Sequence, residues 1–191
     1  MRGFLALLIG VLAASPALAH TGSVTGGFAG GFTHPLLGPD HIAAMVAVGL
    51  WGAFLGPPAM FILPVVFPLV MAFGGVLGIA GVPLPGVEIG IAASAAVLGM
   101  MVALAARPPL WVAALIVGAF AVFHGHAHGT ELPPAADAMT FSAGFVIATG
   151  CLHLAGIAFG LLARWPIGLV AVRTAGGIIA IAGLLFLGRL V

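Results

Sequence analysis

Long apolar runs, broken by proline and glycine far more often than by charge, leave this chain of 191 residues one solvent in which to fold, the lipid bilayer. Soluble domains carry about 25% charged residues; here 63% of the residues are apolar and 5% are charged. Taking proline, glycine and the rare charges as punctuation, helices are expected at 41–56, 59–80, 87–106, 109–127, 139–163 and 167–190. The turns between them are tight, and only 128–138 is long enough to be called a loop. The expected fold is an all-α integral membrane protein, a bundle of about six transmembrane helices in one domain over residues 20–191.

Residues 1–19 read as a cleaved signal peptide. Arg2 supplies the positive start, Phe4 to Ala14 an apolar stretch shorter than a span, and Ala17-Leu18-Ala19 a small-residue cleavage site. Cleavage there leaves His20 as the mature N-terminus, outside the cytoplasm. Six spans then place Arg107 and Arg164 at cytoplasmic turns, Arg173 close to that face and Arg189 outside. The arrangement agrees with the positive-inside rule.

The first span is too short by itself. Residues 41–56 rise about 24 Å at 1.5 Å per residue against a hydrocarbon core of about 30 Å. The preceding VTGGFAGGFTHPLLGPD must therefore lie partly at membrane depth, as a short packed helix followed by a break at 34–39, where Pro35, Gly38 and Pro39 interrupt it. Overlapping small-x-x-x-small pairs at Gly26/Gly30 and Gly27/Gly31 suit close helix packing, and the Gly-rich faces permit oligomerisation. Broken helices of this kind are where transporters place ion sites; a kinked structural helix is the plainer alternative.

Function classes fall away quickly. Net charge is +1 and there is no basic run, so no nucleic-acid partner is expected. No Walker or Gly-x-Gly-x-x-Gly motif occurs, so the chain shows no ATPase of its own. The single Cys151 cannot form an intramolecular disulfide and reads as a small buried hydrophobe.

What stands out is seven histidines in a chain without lysine. His34, Asp40 and His41 flank the break before the first span, and with Pro39 as the first helical residue Asp40 and His41 fall in the opening turn. Imidazole binds nickel, cobalt, zinc and copper, and a carboxylate ligates or orients it; Asp40 also suits the positive end of a helix. The run His124-Gly-His126-Ala-His128-Gly-Thr-Glu131 closes the fourth span. His124, His128 and Glu131 share a helical face there, and His126 points away unless Gly125 and Gly129 unwind the end. His153 lies in the middle of the fifth span, either a functional group or a packing hydrogen bond. Met45 shares a helical face with His41 and either packs or offers a thioether ligand; Met60, Met71, Met100 and Met101 read as core.

The segment His34-Pro-Leu-Leu-Gly38-Pro-Asp40-His41-Ile-Ala-Ala-Met45-Val-Ala-Val48-Gly49 resembles the signature H-P-x-x-G-x-D-H-x-x-x-M-x-x-V-G-x-x-A of the HupE/UreJ family of nickel permeases, with Gly52 in place of the final Ala. The segments FHGHAHGTE and Gly150-Cys-Leu-His153 resemble that family too, as does the plan of a signal peptide and six spans. A looser likeness is to the nickel/cobalt transporters, whose H-x4-D-H is one residue shorter. The resemblance implies uptake of nickel, or cobalt, across a bacterial cytoplasmic (inner) membrane, often to supply hydrogenase or urease. It carries over to His34, Asp40 and His41 as metal-handling residues, and more loosely to His124, His128, Glu131 and His153. His20 joins them as an N-terminal amine and imidazole able to chelate together. The ion is cargo; no permanently bound cofactor is expected. A membrane metalloenzyme, a haem-binding bundle, and a metal sensor or maturation partner use the same residue types and stay open as alternatives.

Overall fold

The computed structural model describes residues 27–132 and 137–190, so the expected signal peptide and His20 lie outside the described residues. Every regular element in it is helical: α1 (Phe28–Leu37), α2 (Pro39–Leu55), α3 (Ala59–Ile79), α4 (Val87–Ala103), α5 (Leu110–Thr130), α6 (Ala138–Gly160, continued by a 3-10 turn Leu161–Arg164) and α7 (Pro166–Leu187). Proline opens α2 and α7, where its missing N–H costs nothing and its fixed φ suits the first turn. Gly56, at φ 80°, ends α2, and the Asp137 carboxylate accepts from Met139 N at 3.0 Å to start α6.

Four helices, Ala59–Ile79, Leu110–Thr130, Ala138–Arg164 and Pro166–Leu187, are long and apolar enough to cross a membrane by themselves. The pair α1–α2 passes as a broken span bent by 87°. The helix expected at 87–106 has 17 residues, Val87–Ala103, shorter than the four spanning helices, because the chain turns at Ala105, which takes φ 54°. Bands of exposed Phe61, Leu69, Phe73, Leu115, Leu154 and Ile181 face outward, as lipid-facing surfaces do.

The break itself differs from expectation. Pro35 does not interrupt α1, which runs through it to Leu37; the bend is confined to Gly38. Pro35 forgoes only one bond, to the Gly31 carbonyl, and its φ is already helical. Gly38 is needed for space: a Cβ there would stand 2.9 Å from His41 Nδ1 and 3.0 Å from an Asp40 carboxylate oxygen.

Residues 128–130 also differ, being the last turn of α5 rather than loop. Gly125 and Gly129 do not unwind that end. Their bare Cα atoms lie against the Met71 and Gly75 carbonyls of α3, so these glycines permit backbone contact and the helix continues past them. The closest pairings are α3 with α5, α4 with α7, and α6 with α1 and α2. Helix α2 is the hub: most of its residues are buried, and Trp51 Nε1 donates to the Ala106 carbonyl at 3.0 Å. Two side-chain expectations fail. Cys151 is exposed, because His153, two residues and about 200° further round α6, takes the inward face. Met100 likewise points outward, 40% exposed, whereas Met45 and Met71 are core.

Candidate metal centre

Alternation of the helices sorts the charges. Asp40 opens α2, Glu88 opens α4, Glu131 follows α5 and Asp137 caps α6, all at one end of the bundle. Arg107 and Arg164 sit in the turns at the opposite end, with Arg107 4.6 Å over the Phe54 ring. Arg173 is near them on α7, its Nε donating to the Ala103 carbonyl at 2.8 Å.

At the acidic end the 87° bend folds α1 back over the bundle, and the two histidine motifs meet. His34 Nε2 lies 3.0 Å from His128 Nδ1, one donating to the other, and 3.6 Å from Glu131 Oε2. These three can each offer a ligand atom within 4.8 Å of the others. His41 stands next, its ring 4.6 Å from that of His128 and 4.7 Å from that of His124. The Asp40 carboxylate accepts from both the backbone N–H of His41, at 2.9 Å, and its ring Nδ1–H, at 3.0 Å. An ionised carboxylate can only accept, so His41 carries a hydrogen on Nδ1, and in the neutral ring Nε2 keeps its lone pair. Beyond His124 the Phe67 ring intervenes, 5.5 Å from His124 and 5.4 Å from His153.

His34, Asp40, His41, His124, His128 and Glu131 thus form one continuous cluster. His153 lies on the other side of the Phe67 ring from His124. His126, as its helical position predicts, points away, donating from Nε2 to the Val82 carbonyl at 2.7 Å. The cluster is short of hydrogen bonds. His41 Nε2 and His124 Nδ1 are buried with no hydrogen-bond partner, and neither ring nitrogen of His153 meets hydrogen-bond geometry. Pro68 carries no N–H, so the Pro64 carbonyl lacks its helical donor and faces His153. Buried polar atoms are normally paired, so a row of bare imidazole nitrogens points to a ligand.

The sequence profile described as HupE / UreJ protein matches residues 6–186. The chain belongs to the HupE/UreJ family. Protein HupE of Rhizobium leguminosarum bv. viciae is 49% identical over 169 residues, 88% of this chain and 88% of that one. No solved structure matches.

Sequence reading missed four residues in and around this cluster. Phe67 gave no signal in an apolar helix. Phe145, whose ring centroid is 4.2 Å from that of His128, was equally silent. Thr149, buried with its hydroxyl unpartnered, follows Phe145 and precedes His153 at helical spacing on α6. Ser94, a lone hydroxyl in α4, contacts His124 Nε2 at 2.9 Å, and its isolation in an apolar helix was the one available clue.

Proposed function

We propose that this membrane protein is a permease for a divalent transition-metal cation, nickel or cobalt, which enters at the acidic end and passes along the histidine cluster. One observation carries the reading: the buried imidazole nitrogens of His41 and His124, without hydrogen-bond partners and in adjoining rings, inside a helical membrane bundle. Membership in a family associated with nickel and cobalt transport supports the choice of metal. Imidazole with few carboxylates suits borderline metals over magnesium and calcium, which prefer oxygen.

The proposed setting is the bacterial cytoplasmic membrane, with the acidic end outside and the Arg107–Arg164 end inside. Acids at the mouth draw cations, and the membrane potential contributes about 2.3 kcal/mol per charge per 100 mV, hence roughly 4–5 kcal/mol for a dication. Ligands strung from mouth to interior suit passage better than catalysis at one open site, so the chain is read as a carrier of metal and not an enzyme. His34, His128 and Glu131 receive the ion, His41 and His124 hold it next, and His153 takes it beyond Phe67.

Nickel accumulation in cells expressing the protein, against cells carrying Asp40→Ala/His41→Ala at equal membrane abundance, tests this. Accumulation above background only with the unaltered protein is expected. Binding by purified protein without accumulation in cells would mean a sensor or maturation partner and would overturn transport.

A further inference from the structure

The contact between Ser94 and His124 determines where the hydrogen of a buried imidazole must be. Ser94 is fully buried on α4, and its hydroxyl donates to the Ile91 carbonyl one turn back at 2.6 Å. A hydroxyl has one hydrogen, and a carbonyl oxygen has none to give. With that hydrogen used, Ser94 Oγ meets His124 Nε2 at 2.9 Å as an acceptor. The hydrogen in that contact therefore comes from His124, which must carry it on Nε2. Its other nitrogen, Nδ1, then has a free lone pair, and it is buried without a partner.

We propose that Ser94 is a positioning residue: it holds His124 with its hydrogen on Nε2, presenting Nδ1 bare as a ligand for the metal cation. Histidine ligands in metal sites are generally fixed this way, through the hydrogen bond made by the other nitrogen. His41, its ring 4.7 Å away, is fixed in the opposite sense, with Asp40 taking Nδ1–H and Nε2 free. The two facing histidines are thus held as opposite tautomers by two different partners, one a carboxylate and one a hydroxyl. The local fold serves the contact. A Cβ on Gly90, one turn before Ser94, would overlap the Phe123 ring of α5, so glycine there leaves room for α5, the helix that carries His124.

The ligand role of Nδ1 rests on the transport reading above; the tautomer does not. Full-length, tag-free protein labelled with nitrogen-15 at histidine, reconstituted without metal, reports which ring nitrogen bears hydrogen. His124, assigned by loss of its signals in His124→Gln, is expected to show Nε2–H. In Ser94→Ala the pattern should become mixed, and nickel uptake should fall roughly 10–100-fold, the usual effect of removing a ligand's orienting partner. Ser94→Thr, which keeps the hydroxyl, should restore both the Nε2–H pattern and uptake. A hydrogen on Nδ1 in the unaltered protein overturns the proposal whether or not any variant folds. So does a well-folded Ser94→Ala protein with unchanged tautomer and uptake. Unaltered protein that shows Nε2–H yet carries no nickel would sustain the positioning role while ending the transport reading.

Discussion

Adding nickel to the purified protein should stabilise it measurably. Two cluster nitrogens, His41 Nε2 and His124 Nδ1, are buried without hydrogen-bond partners. At about 1–3 kcal/mol for each unsatisfied group, the empty cluster carries a desolvation penalty of about 2–6 kcal/mol that a cation relieves. Linkage sets what is observed: at one hundred times Kd a ligand bound only by the native state adds about 2.7 kcal/mol. For a chain of this size, 1 kcal/mol shifts Tm by about 2–4 °C, so nickel should raise Tm by about 5–11 °C. Magnesium, which dehydrates reluctantly and prefers oxygen, should do little. The assay is thermal unfolding in detergent of protein without a histidine tag, with each metal titrated. An equal rise with magnesium, or a nickel-induced rise that survives His41→Gln/His124→Gln, would refute the claim that these nitrogens are ligands.

Asp40→Ala and His41→Ala should each lower nickel accumulation roughly 10–100-fold at unchanged membrane abundance. Met45→Leu, a volume-conserving change at a packed residue, should cost under about 1.5 kcal/mol and leave uptake near normal. Gly38→Ala adds a methyl 2.9 Å from His41 Nδ1, so nickel affinity should drop in titrations while the rest of the bundle stays folded. If cleavage follows Ala19, mass spectrometry will find His20 at the N-terminus; His20→Ala should then impair uptake at limiting nickel and recover at high nickel. A different first residue ends that idea.

The helices and their order were legible because bilayer-facing residues must be apolar, and hydropathy reports this directly. Histidine pairing across the fold was not. Nothing local says that His34 will reach His128, 94 residues away; that follows from the 87° bend at Gly38 and the close contact of α3 and α5. The glycines misled for a physical reason. At Gly125 and Gly129 the sequence permits either an unwound end or a close backbone approach, and only the facing carbonyls of Met71 and Gly75 decide it. Pro35 misled similarly, since one lost hydrogen bond near a helix end is too small a penalty to break it. Ser94 and Phe67 were invisible because each gains its role from a partner on another helix.

The arrangement also bears on how a dication could leave a site that holds it. Passage needs binding strong enough to replace hydration and divided enough that no single site becomes a trap. Adjoining histidine rings from His34 to His124 lie 4.6–4.9 Å apart, so an ion moving inward gains one imidazole before losing the last. The carboxylates, Asp40 and Glu131, are confined to the outer part of this series. Past Phe67 the ion meets a single imidazole, His153, and the Pro64 carbonyl. Beyond it, among the described residues, the far end offers arginines and no acid. Ligand number and negative charge therefore both decline along the proposed path. A declining series resists inward movement unless the membrane potential offsets it, so collapsing the potential at constant nickel should slow accumulation even with every ligand intact.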